Sequence, residues 1–176
     1  MPKYFAQQLR ALQFAQSAQP PQQLLWIVAR DMPFLGTIKE LRGAELAKRE
    51  TQWLQKHDMA TNGIMGFFPA TLNEPVRFTA TQSKELKIFK NTRGILVNWE
   101  LHPVDLALLQ GEQAQEQILK QTPRKLYVQI PGATWKYSKT LPPGVFPLKP
   151  VFRPWHLDKV GGPRGTVKSA QRFPKF

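Results

Sequence analysis

Between residues 62 and 101 the chain reads NGIMGFFPATLNEPVRFTATQSKELKIFKNTRGILVNWEL, and this stretch restricts the fold most tightly. Asn62-Gly63 is a strong short-range signal for a hairpin turn, because both residues tolerate positive φ. An apolar run follows, Ile64, Met65, Phe67 and Phe68, which Pro69 is expected to end, since proline cannot donate to a sheet ladder. Pro75-Val76-Arg77-Phe78-Thr79 alternates with period two, as a half-buried strand does. A basic turn, Lys90-Asn91-Thr92-Arg93-Gly94, leads into a second strand over residues 95–99. Two or three strands joined by turns that carry Lys and Arg make a small β-unit suited to touching a phosphate backbone.

The flanks are mixed. Residues 4–18 place Phe5, Leu9 and Leu12 at i, i+4 and i+7, a helical stripe, which Pro20-Pro21 stops. Leu24-Leu25-Trp26-Ile27-Val28-Ala29 is short and wholly apolar, as a strand buried on both faces would be. One such strand cannot make a sheet by itself. Thr37-Ile38-Lys39-Glu40 has the pattern of a capping box, so a helix is expected to about Lys56, with Leu41, Trp53 and Leu54 near one face. Helix, strand, helix suggests that residues 1–60 are a partial α/β segment.

Beyond the central unit, His102-Pro103 opens a helical insertion at about 103–120. Asp105 lies in its first turn, where the helix dipole favours a carboxylate. Leu106, Leu109, Ile118 and Leu119 mark two short helices around Gly111, with Glu112, Gln113, Gln115 and Glu116 on a solvated face. Strands are expected again over 126–130 and 134–137, separated by Pro131-Gly132. Residues 145–148 and 151–157 read as extended segments that Pro147, Pro150 and Pro154 confine to sheet edges. Gly161-Gly162-Pro163-Arg164-Gly165 is a basic loop. The pattern fits an α+β chain in which residues 61–176 form a small SH3-like β-barrel with a basic Pro/Gly-rich C-terminal part.

Charge narrows the function classes. The net charge is +13 over 176 residues. Residues 1–119 carry 13 Lys/Arg against 11 Asp/Glu, whereas residues 120–176 carry 12 against one, Asp158. A balanced half beside a strongly basic half is the footprint of a polyanion binder. No cysteine is present, which removes disulfides, thiolate metal sites and a cysteine nucleophile. There is no apolar run long enough to span a membrane and no segment of signal-peptide type. An intracellular, nuclear location is the expectation. Mitochondrial import is the alternative, because the first 25 residues contain basic but no acidic side chains.

Catalytic signatures are missing. There is no G-x-x-x-x-G-K-[ST] loop to cradle a triphosphate and no H-E-x-x-H pair, nor a G-x-S-x-G elbow. His57, His102 and His156 are far apart in sequence. No cofactor or metal is expected in this chain, and catalysis by it alone is not expected. The residues suited to binding are Arg77, Lys84, Lys87, Lys90 and Arg93 around the central strands, then Lys136, Lys139, Lys149, Arg153, Lys159, Arg164 and Lys168. Trp135, Tyr137, Phe152 and Trp155 are interleaved with the second group. Cations fix the backbone, and aromatic faces such as Trp135 and Trp155 can stack bases.

"GFFPATLNEPVRFTAT" followed by "IFKNTRGILVNWELHP" resembles the C-terminal region of Pif-type superfamily 1B DNA helicases, relatives of RecD, and is most similar to a helicase-like set abundant in protists. In that set a "PVRLT" strand precedes an "NGTRG" turn. Pro75-Val76-Arg77-Phe78-Thr79 and Asn91-Thr92-Arg93-Gly94 match, except that the Gly after the Asn is missing. Residues 141–150 (LPPGVFPLKP) resemble a later segment, and Arg172-Phe173-Pro174 resembles the "QFP" before the family's final motif. The resemblance implies a fragment of the second motor domain, of RecA-like type over residues 1–60, with an inserted SH3-like DNA-contacting subdomain. It implies ATP and Mg only with a motor part this chain lacks, and an N-terminal helicase half as a partner beside single-stranded DNA. Rival expectations are a basic RNA-binding component of a ribonucleoprotein, a helicase subunit active only with its other half, and a remnant that does not fold stably.

Overall fold

A computed structural model of the chain describes residues 3–33, 44–56, 58–61, 63–111, 116–156 and 169–175. The fold is α+β, with three helices and three sheets among those residues. The expected capping box at 37–40 lies outside them.

The apolar strand β1 (Leu24–Val28) finds its partners far along the chain. It pairs antiparallel with β3 (Phe67–Thr71) and parallel with β6 (Glu116–Ile118), in the order β3-β1-β6. Leu24, Leu25 and Ile27 are buried, as a central strand flanked by two others requires. The sheet therefore ties the first sixty residues directly to the middle of the chain. Pro69 does not end the apolar run as expected. It sits within β3 opposite Trp26, and β3 is an edge strand, where a missing N–H is tolerated.

Before β1, helix α1 (Lys3–Ser17) packs through Ala11 and Ala15, with Leu12 half-buried and Leu9 exposed. Of the expected stripe, Leu12 joins this packing and Leu9 does not. Small residues let the helix lie close to Leu24. Helix α2 (Ala44–Leu54) buries Trp53 near its end. A short 3-10 turn comes next (Asp58–Thr61). The backbone at Gly66 passes against the end of α2, and the Gly66 carbonyl accepts from the Ala29 amide at 2.8 Å.

A four-stranded antiparallel sheet forms the other side of the core. Its order is β4 (Pro75–Arg77), β5 (Arg93–Glu100), β7 (Lys125–Gln129), β8 (Val145–Leu148). A bulge between Leu96 and Asn98 shifts the β5–β7 register, which adds local twist. The sheet is open, with β4 and β8 as hydrogen-bonding edges, and no closed barrel is found among the described residues. It nevertheless coils enough for Phe78, just past one edge strand, to meet Phe146 on the other edge-to-face at 6.3 Å between ring centroids. One cluster spans both sheets: Leu25, Ile27 and Ala70 pack with Phe78, Leu96 and Val128, among others.

The helical insertion is half helix. α3 (Pro103–Gly111) is present, but Ile118 belongs to strand β6 rather than to a second helix, because parallel pairing with β1 outweighs local preference. Glu116 is not merely solvated: it accepts from the Trp26 indole at 2.9 Å. Asp105 is buried, and its carboxylate accepts from the backbone N–H of Lys120 at 2.7 Å and of Gln121 at 3.0 Å. It holds α3 to the exit of β6. The expected strand at 134–137 is irregular loop.

The third sheet has the order β2 (Arg30–Pro33), β10 (Ser169–Lys175), β9 (Val151–His156). The proline-bearing strands β8 and β9 are both edges, as expected, and Pro174 of the central strand β10 falls at the register irregularity between Arg172 and Lys175.

At the turn between β3 and β4, burial pushes the Glu74 carboxyl up to about 7, against the pull of the Arg10 cation. A carboxyl that holds its proton more tightly when folded costs stability as pH rises. The cost is absent below about 4.5 and complete above about 7. Because Glu74 is partly exposed, the expected size is discounted to roughly 1–2 kcal/mol. Glu74→Gln should therefore raise the urea midpoint at pH 8 and leave it nearly unchanged at pH 4. Equal effects at both pH values would show that the carboxyl is not strained by its site.

Candidate nucleic-acid interface

The connection from β4 to β5, residues 78–92, is held by its own backbone. The Phe78 N–H donates to the Thr92 carbonyl at 3.0 Å, and the Asn91 N–H to the Phe78 carbonyl at 2.8 Å. Ile88 and Ser83 form an isolated antiparallel bridge, and the Leu86 N–H donates to Ser83 Oγ at 3.1 Å. Two side-chain hydroxyls brace the return: Phe89 N–H donates to Thr92 Oγ1 at 3.0 Å, and Lys90 N–H to Thr81 Oγ1 at 3.3 Å. Ile88 is fully buried and Phe78 nearly so. These two anchors pin an otherwise polar loop to the core.

Cations cover this loop. Between residues 77 and 93 there are five basic side chains, Arg77, Lys84, Lys87, Lys90 and Arg93, against one carboxylate, Glu85. All five are exposed. Arg77 and Arg93 stand directly opposite each other in the β4–β5 register, so their side chains share one face of the ladder. Like charges so placed repel and weaken a hairpin. No carboxylate pairs with either arginine among the described residues. Lys87 has a φ of 57° and Asn91 of 72°. Asn takes the left-handed region readily, whereas Lys does so at a cost. The hairpin thus bears repulsion and backbone strain while displaying positive charge.

The second basic group is more dispersed. Lys136 and Lys139 are exposed on the loop between β7 and β8. The loop returns to the sheet through Gly144 N–H donating to the Trp135 carbonyl at 2.8 Å. It approaches the hairpin through rings: Tyr137 packs edge-on to Phe146 at 5.4 Å, and Phe146 meets Phe78. Lys149 is exposed beyond β8, at the sheet edge opposite β4, and Arg153 is exposed on β9 in the other sheet. Lys159, Arg164 and Lys168 lie outside the described residues.

The two tryptophans expected to stack bases do not offer free faces. Trp155 is 3 % exposed, packs edge-on to Trp53 at 6.4 Å and donates its indole N–H to Asp31 at 3.0 Å. It is a core residue that fastens β9 to β2. Trp135 is half-buried against the main core. Phe89 is different. It is 48 % exposed amid the hairpin cations, and sequence reasoning missed it. The available signal was its place next to Ile88: whichever residue anchors the loop, its neighbour must point the other way.

A second surface feature is an open groove of about 500 Å³ lined in part by Trp99, Glu100, Tyr127 and Pro142. Its carboxylate is engaged. Lys125 Nζ donates to Glu100 at 2.6 Å and the Tyr127 hydroxyl donates at 3.2 Å. The Lys125 hydrogen bond holds the Glu100 carboxyl below its ordinary range. No group of His, Asp or Glu that could hold a metal ion occurs among the described residues. No helix there is long and apolar enough to cross a membrane. Comparison with protein-family models, with curated proteins and with solved structures gives no match.

Proposed function

We propose that the chain is a nucleic-acid-binding module that grips a single-stranded backbone with the β4–β5 hairpin. The observation that carries this reading is the exposed Arg77–Arg93 pair, opposed in register and without a carboxylate partner among the described residues. In water alone such a pair weakens the hairpin. A phosphate between the two guanidiniums would turn that repulsion into charge-assisted hydrogen bonding. Lys84, Lys87 and Lys90 extend the positive surface along the same loop, and Lys136 and Lys139 approach it through Tyr137.

The likeness to the C-terminal region of Pif-type helicases supports the same reading, since there an SH3-like subdomain contacts DNA. The coiled four-stranded sheet is compatible with that origin. On this reading ATP and Mg belong to a motor part supplied elsewhere, and this chain steers the strand.

The charge reversal Arg77→Glu with Arg93→Glu tests the proposal. Binding of the unmodified protein to oligo(dT) should weaken as salt rises, with log K falling by about 0.7 per phosphate neutralised. The double variant should bind at least tenfold more weakly with a shallower salt slope, and its melting should change little, because exposed substitutions typically shift stability by about 0.5 kcal/mol or less. An unchanged affinity and slope would remove the hairpin from the interface. Tighter binding to structured RNA than to oligo(dT) would favour the ribonucleoprotein reading.

A further inference from the structure

We infer that Phe89 is a base-stacking platform, so that the hairpin prefers unpaired bases to duplex. This rests on the backbone-gripping role of the hairpin and specifies what the site recognises beyond phosphate. Ile88 is fully buried and holds the loop in register. Its neighbour Phe89 is thereby turned outward. The amide of Phe89 is fixed to Thr92, and the next amide, of Lys90, to Thr81. The ring therefore stands on a hydrogen-bonded base and has no ring contact with another described aromatic. Tyr137, equally exposed, already packs on Phe146.

A lone exposed Phe is ordinary on a protein surface, but a flat ring fixed among cations is the seat that an aromatic base would cover. The surrounding charge selects that cover. Lys87 and Lys90 flank the ring in sequence, and the only carboxylate between 77 and 93 is Glu85. A neutral apolar peptide would gain nothing from these cations. A nucleotide satisfies both features, its base on the ring and its phosphate on the adjacent ammonium groups. Stacking needs an unpaired base, since bases within a duplex already stack on each other.

The test compares the full chain with Phe89→Ala and Phe89→Trp on oligo(dT), on an abasic phosphodiester oligomer of the same length, and on a duplex. Phe89→Ala should lose about fivefold to a hundredfold on oligo(dT). Its affinity for the abasic oligomer and its salt slope should stay unchanged, and Phe89→Trp should restore or tighten oligo(dT) binding. If Phe89→Ala binds oligo(dT) like the unmodified chain, or loses equally on both oligomers, the stacking role falls while the backbone reading stands. If the unmodified chain binds oligo(dT), duplex and abasic oligomer equally with a steep salt slope, the stacking role also falls alone. If it binds none of them, both readings fall.

Discussion

Asp105→Ala should destabilise the chain by roughly 2–4 kcal/mol, far more than any surface carboxylate. The carboxylate is buried and accepts two backbone hydrogen bonds, from Lys120 and Gln121. Hydrogen bonds to a charged group contribute about 1.5–3 kcal/mol each, and deleting the acceptor leaves partly buried N–H groups unsatisfied. The same short segment carries other connections: the Leu119 N–H donates to the Trp26 carbonyl at 3.0 Å, and Arg30 donates to the Lys120 carbonyl and to the Gln121 side chain. Loosening it therefore loosens β6 on β1. Asp105→Asn should recover little, because an amide can turn only its oxygen toward one N–H and must set its NH₂ against the other. Urea denaturation measures this. Glu116→Ala, which removes only the exposed Trp26 contact, should cost less than about 1 kcal/mol. Equal losses for the two alanine variants would show that the Asp105 clamp is unimportant.

Gly66→Ala should be comparably damaging for a different reason. A Cβ at Gly66 would fall inside the carbonyl group of Leu54, a backbone neighbour that cannot swing aside. Either the end of α2 or the Gly66–Ala29 hydrogen bond has to move, and each is tied to the core. We expect a loss of about 3 kcal/mol or more, at the upper end of overpacking costs. Gly132→Ala separates sterics from backbone preference. Gly132 has a φ of +76° with open space around its missing Cβ, so only the conformational cost of about 1–2 kcal/mol applies there. If Gly66→Ala melts no lower than Gly132→Ala, the close approach of α2 is not a constraint on the fold.

Local pattern made the strands legible and their partners illegible. The run 24–29 reads as a doubly buried strand from its composition alone, but nothing within twenty residues tells that β3 and β6 will flank it. Pro69 reads as a stop because sequence does not reveal which strands are edges. Ile118 reads as helical because a three-residue strand has no period to detect, and its parallel partner is distant. Leu9 fits a helical stripe, yet α1 packs through its alanines, since close approach to Leu24 favours small side chains.

At the candidate site, the cations of residues 77–93 were readable as a charged turn, and the structure brings four of the expected binders, Arg77, Lys87, Lys90 and Arg93, onto one hairpin. What could not be read was that Arg77 faces Arg93, since the register depends on the length and folding of the loop between them. Trp155 looked available because it lies among basic residues. Its burial depends on Trp53 and Asp31, both over ninety positions away, and neighbouring charge carries no information about that.

The pairing of β1 has a consequence during synthesis. Trp26 meets Glu116 across 90 positions, and Asp31 meets Trp155 across 124. A ribosome therefore releases LLWIV long before its parallel neighbour exists, and contacts of such long range fold slowly. Throughout that interval the edge of the most apolar strand that β6 will cover is open, even once α1 and β3 are made, which makes the nascent polypeptide, rather than the finished one, the form most in need of a chaperone.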